Sequence, residues 1–224
     1  MKKNSIIIIA TLLFMAITTG FCIQSGDTKE QKHRTLDEVI NATGQFVQKE
    51  HQLFLSGLDY TAQVNDKKVA FWVNGLPVSN EELQFRFGLY VSSGTGPQTI
   101  DEAKKVFIRE KVIQKEVIEL GLLPTDKEID DYIYQEKEMF KNEPEYKAIV
   151  EKTIEAWGLT GDEYWNIYER YNVYRILTAD KLSKHLLKDF YSKDIITFED
   201  EKQAKEKWDK FIEDKIAKAE IKEK

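Results

Sequence analysis

The chain has 224 residues, with 33 basic against 39 acidic side chains and a net charge of −6. That balance argues against a nucleic-acid-binding face, and a single cysteine excludes a disulfide framework, a cysteine-based zinc site and a dithiol redox motif. Four prolines and eleven glycines disfavour an all-β sandwich and permit long helices.

The first 26 residues differ from the rest. Lys2 and Lys3 precede an almost wholly apolar run from Ile6 to Ile17, and no charge occurs between Asn4 and Gly26. A basic start followed by an apolar run is the layout of a secretory signal. The 23 uncharged residues are also enough to span a bilayer, which takes about 20. Cys22 adds lipidation as a third fate, although a lipoprotein signal places a small residue just before the cysteine and Phe21 stands there. Residues 1–26 are thus expected to be a signal peptide, an anchor or a lipidated N-terminus, with the rest of the chain outside the cytoplasm. Without its two lysines the remaining chain has 31 basic and 39 acidic residues, net −8. Such a chain is repelled at long range by anionic lipid and nucleic acid, which leaves other proteins, or something neutral or cationic, as the expected partners.

Residues 27–66 read as a flexible lead and a first helix from Thr35 to about Ser56. Ser or Thr followed three residues later by Glu is the capping-box pattern. It occurs at Thr35–Glu38, Ser79–Glu82, Thr99–Glu102, Thr125–Glu128 and Thr160–Glu163, each time opening an apolar run of helical period. Lys67 to Val73 is the strand candidate, ended by the Asn74-Gly75 turn signal. Helices are then expected from Ser79, from Ile100 to Leu120 with Gly121 as terminator, from Asp126, from Glu145 to Trp157, and from Gly161 to about Phe190. A last helix spans about Glu199 to Lys218, and residues 219–223 form a short strand around Ile221. The fold class is mainly α.

No catalytic pattern emerges. His33, His51 and His185 are too far apart for a local metal pair and sit in no H-E-x-x-H pattern. The loop from Ser92 to Gly96 lacks the closing G-K-[ST] of a phosphate loop. Asp126, Glu128, Asp130 and Asp131 alternate as calcium ligands do, but Asp131 stands where an EF-hand requires glycine. These acids fit a helix start better. Neither cofactor nor metal is expected.

The order of Val69–Leu83, Phe107–Glu116, Leu120–Asp130 and Gly158–Trp165 resembles the N-terminal module of SurA/PrsA-type extracytoplasmic folding factors, which is related to the substrate-binding region of trigger factor. The resemblance covers roughly 120 residues, 67–190. It implies a multihelical cradle that binds unfolded or newly exported polypeptide. In that family a parvulin-type prolyl isomerase domain follows, then a returning helix. Here 34 residues follow Phe190, whereas a small domain needs about 100. Residues 204–212 look like the returning helix itself, and residues 217–222 like its terminal strand, expected to pair with Val69–Val73. The domain from 67 to 224 is therefore read as the helical module without the isomerase.

Aromatic residues make up 12% of the chain and concentrate in its later helices. They suit client binding, because they give large contact area at small rotamer cost. The candidates are Tyr132, Tyr134, Met139, Phe140, Trp157, Tyr164, Trp165, Tyr168, Tyr171 and Tyr174. Residues at helical spacing are more often core than contact surface, and only Tyr134 and Tyr174 lie off the main stripes. Two readings stand open: a chaperone-like holder of unfolded polypeptide without isomerase activity, and a membrane-anchored scaffold or accessory lipoprotein that binds one folded partner.

Overall fold

The computed structural model describes residues 34–60, 64–193 and 196–224. The N-terminal segment and Cys22, with the three fates expected of them, lie outside the described residues. Among those described, no helix is long and apolar enough to cross a membrane.

The molecule is mainly helical, with one small antiparallel sheet. Helices α1 (Leu36–Lys49) and α2 (His51–Gly57) are separated by Glu50, so the single helix expected there is broken. A 3₁₀ turn at Asp66–Lys68 leads into β1 (Val69–Val73), then β2 (Leu76–Ser79) and α3 (Asn80–Ser93). Next come α4 (Ile100–Glu119), α5 (Asp126–Asn142) and α6 (Pro144–Trp157). The expected long helix from Gly161 is composite. It begins as α7 (Gly161–Glu163), passes through a π-helical segment (Tyr164–Glu169) and continues as α8 (Arg170–Leu186). A short α9 (Lys188–Tyr191), α10 (Phe198–Ile216) and β3 (Ile221–Glu223) complete the fold.

The helix entrances follow from local hydrogen bonding. Reciprocal capping boxes form at Thr35, Thr99, Thr125 and Thr160, each satisfying backbone N–H groups the first turn would leave orphaned. Ser79 forms only half of its box: its hydroxyl accepts from the Glu82 N–H, while the Glu82 carboxylate accepts the Tyr171 hydroxyl at 2.6 Å. A tertiary partner has taken the acid from the cap. A fifth full box, Thr197 with Asp200, opens α10; it escapes a pattern that demands glutamate at the third position.

The strand expected at the C-terminus forms and pairs with β1: Phe71 faces Glu223, Trp72 faces Lys222 and Val73 faces Ile221. β1 is not lone, however. The Asn74-Gly75 turn folds Leu76–Ser79 back on it, which makes β1 the centre of the order β2-β1-β3. Pro77 is tolerated because β2 is an edge strand, where a missing N–H disrupts no further ladder. Alternate residues Val69, Phe71 and Val73 are fully buried, and Phe71 and Val73 pack with Val78, Leu83, Ala103 and Phe107 from the hairpin, α3 and α4. On the other face the Lys222 ammonium lies 5.5 Å from the Trp72 ring centroid.

The largest core cluster joins α1, α2, α3, α5, α6, the π segment and α8. Gly44 lets α1 and α6 touch backbone to backbone: a Cβ there would lie 2.3 Å from the Ala156 carbonyl oxygen. Beside this contact the Trp157 indole N–H donates to Thr43 Oγ1 at 3.0 Å. A third cluster, Ile113, Val117, Leu182 and Ile212, pins α10 to α4 and α8.

Candidate functional site

The expected client-binding aromatics divide by burial. Trp157, Tyr164, Trp165, Tyr168 and Tyr171 are core side chains, none more than 8% exposed. Their stripe faces the other helices, because burying large rings removes much apolar area from water per residue. They are withdrawn from any contact surface in this conformation. Tyr132, Met139 and Phe140 are half-buried against the same cluster. Phe140 meets Trp165 edge-on at 5.8 Å, and Lys147 and Lys137 lie over those two rings. Tyr174, expected to stand free, is half-buried and stacked on Tyr60 at 4.3 Å. Tyr134 alone of the ten is openly exposed, at 63%. The structure therefore does not gather the ten into one surface.

It gathers a different set. Arg86 of α3, Glu110 of α4 and Tyr171 and Arg175 of α8 meet where the three helices converge. Arg86 donates to both Glu110 oxygens, at 2.5 and 2.8 Å, and Arg175 donates to the same carboxylate. Arg86 also donates to the hydroxyls of Tyr171 at 3.1 Å and Tyr90 at 3.0 Å. Its guanidinium carbon lies 4.3 Å from the Phe107 ring centroid. Spacing of four residues along one helix face explains the local pairs Glu82 and Arg86, Arg86 and Tyr90, and Tyr171 and Arg175. Burial pushes the Glu110 carboxyl up, but the Arg175 and Arg86 guanidiniums outweigh it and hold it at about 2. A buried ionic network adds little net stability over apolar packing. Its consequence here is geometric, a fixed crossing of α3, α4 and α8.

Two cavities open beside this network. One, of about 240 Å³, lies among the end of α2, the hairpin, α4 and α8, with Tyr60, Tyr171, Tyr174 and Pro77 in its wall. The other, of about 310 Å³, lies under α10, with Ile176 and Trp208 in its wall. Glu110, Ile113, Arg175 and Ala179 line both. The second is rimmed by charges that are already paired, such as Arg109 with Asp209 at 3.5 Å. The arrangement offers apolar recesses around a rigid ionic centre. It can hold side chains. Among the described residues, no group of three or more histidine, cysteine, aspartate or glutamate side chains is placed to hold a metal ion.

Of the ten expected residues, Tyr171 and Tyr174 reach these cavities. Glu110, Ile113, Arg175 and Trp208 were not singled out by sequence reasoning as site residues. The available signal was a basic residue, Arg175, inside an apolar and aromatic stripe. Compared with family models, with curated proteins and with solved structures, the chain finds no match.

Proposed function

We propose that the protein is an extracytoplasmic, chaperone-like holder of unfolded or newly exported polypeptide, kept at the membrane by its N-terminal segment and without prolyl isomerase activity. The observation that carries this reading is the pair of cavities sharing Ile113 and Ala179. They provide apolar recesses large enough for client side chains and set in a mixed-charge surface. Binding sites are concave and mostly apolar, with a few placed polar groups. The return of the chain after Phe190 as α10 and β3, packed on α4 and paired with β1, supports the same reading. It closes the helical module on itself.

The test is suppression of aggregation of an unrelated unfolded protein. Wild-type protein at stoichiometric ratio is expected to suppress it, and Ala179→Phe, which fills the wall common to both cavities, to lose most of that effect while keeping a native circular dichroism spectrum. Absence of suppression by the wild type would reject the holder.

The scaffold reading has one observation of its own. Ile196 and Phe198 are 45% and 82% exposed at the start of α10, apolar side chains that one folded partner would cover. That reading predicts no general suppression.

A further inference from the structure

α10 is held differently from the helices beneath it. Of its 19 residues Ile212 is the buried one, whereas α4, with 20 residues, buries Ala103, Val106, Phe107, Val112, Ile113 and Val117. Trp208, Phe211 and Ile216 are half-buried. Two part-exposed ion pairs fasten α10 to α4: Asp209 with Arg109 at 3.5 Å and Lys215 with Glu116 at 2.6 Å. β3 follows and ties the end of the chain to β1. The largest core cluster contains no α10 residue among those described, so α10 can lift without opening it. Elements with few buried apolar contacts open at the low end of a protein's range of free energies.

Under α10 runs a valley between α4 and α8. The cavity of about 310 Å³ has Ile113, Ile176 and Ala179 of those two helices as its apolar floor, and α10 supplies only the roof, Lys205, Trp208 and Asp209. The floor continues as Val117 and Leu182, where Ile212 packs. Such a valley seats an amphipathic helix through anchors at i, i+3 and i+4. Trp208, Phe211 and Ile212 have that spacing, and Ile216 extends it by one turn. α10 also carries its own helix-forming devices, the Thr197–Asp200 capping box and the i,i+4 pairs Lys205–Asp209 and Lys210–Asp214.

We propose that the α4–α8 valley is the client site, that the client segment it takes is an amphipathic helix, and that α10 is its built-in competitor. The proposal rests on the holder reading above and names its client class. The segment presents bulky apolar anchors at the spacing of α10, an acid toward Arg109 and a base toward Glu116. Asp209 meets Arg109 and Lys215 meets Glu116, so the seated helix runs in the direction of α4. The client displaces α10, which stays tethered through β3. Apparent affinity is reduced in proportion to the fraction of molecules whose α10 has lifted.

The test uses the full chain with Cys22→Ser, since Cys22 is its one native thiol. Arg109→Cys and Asp209→Cys are added and joined by a bismaleimide that a reductant cleaves. The probe is a fluorescent peptide of residues 197–216. With α10 tied down, the peptide is expected to bind at least about tenfold more weakly than after cleavage. Lys215→Ala alone removes one fastener while the peptide still brings its own lysine to Glu116. It is expected to tighten peptide binding by about two- to fivefold over wild type. Equal affinity before and after cleavage, equal binding of a scrambled peptide, or no binding by the wild type would each overturn the proposal. So would a stable dimer in light scattering, which would make a second copy the occupant. Suppression of aggregation is read on the same samples. If tied and cleaved protein suppress equally, α10 is no competitor while the holder stands. Suppression by neither rejects the holder and, with it, the client role of the valley.

Discussion

Glu110 shows how one residue can define a site without any signature of its own. Its carboxylate binds Arg86, 24 residues away, and Arg175, 65 residues away. Nothing in the sequence singles it out among the 39 acids, because the pairing exists only when α3, α4 and α8 meet. Glu110→Gln leaves two buried guanidiniums facing a neutral amide. It is expected to cost on the order of 3 kcal/mol, measured by chemical denaturation at neutral pH. The pH dependence has a definite sign. The folded-state pKa of about 2 lies below the unfolded value of about 4.3. The contribution is therefore complete above the unfolded pKa and lost as pH falls toward about 2. Wild-type protein is expected to lose stability over that acid range more steeply than Glu110→Gln. Among the aromatics, period alone could not separate contact residues from core. Trp157 and Tyr164 fill the interior, and Tyr134, one position from the buried Ile133, is exposed.

At the scale of elements, starts and stops were legible because they are local. A threonine hydroxyl and an acid three residues on satisfy the first turn from within it, and Gly121 and Gly158 take the left-handed conformation that ends α4 and α6. Where sequence reading missed, a tertiary contact or a chemical variant intervened: Tyr171 claimed Glu82 from the Ser79 cap, and Asp200 replaced glutamate at Thr197. The π segment left no periodic trace, since its aromatics fit an ordinary helical stripe equally well. The crossing of α1 on α6 belongs to this scale too. Gly44→Ala would force a methyl group against the Ala156 backbone, which cannot yield as a flexible side chain would. It is expected to destabilise the protein by about 1–3 kcal/mol, seen as a lower thermal midpoint with secondary structure retained below it.

For the molecule as a whole, closure depends on the last residues. β3 gives β1 its second partner, the Asn74 N–H donates to the Glu220 carbonyl at 2.8 Å, and Lys104 pairs with Glu223 at 3.1 Å. Deleting residues 219–224 removes these bonds and leaves β1 with an open edge. The melting temperature is expected to fall by roughly 6 °C, taking about 2 kcal/mol from the lost backbone bonds at about 3 °C each. Calorimetry of the truncated chain checks this; an unchanged midpoint would mean that β3 contributes nothing to closure.

The sequence by itself determined the mainly helical class, most helix entrances, the β1 position and the existence of a terminal strand. Each of these is settled within a few residues by backbone hydrogen bonding and side-chain period. Only the tertiary structure decided which aromatics are core, that β2 completes the hairpin, and that Glu110 joins two arginines beside the cavities. Those outcomes bring together side chains that are distant along the chain. Burial then changes their chemistry, and neither the meeting nor the burial is written in local pattern.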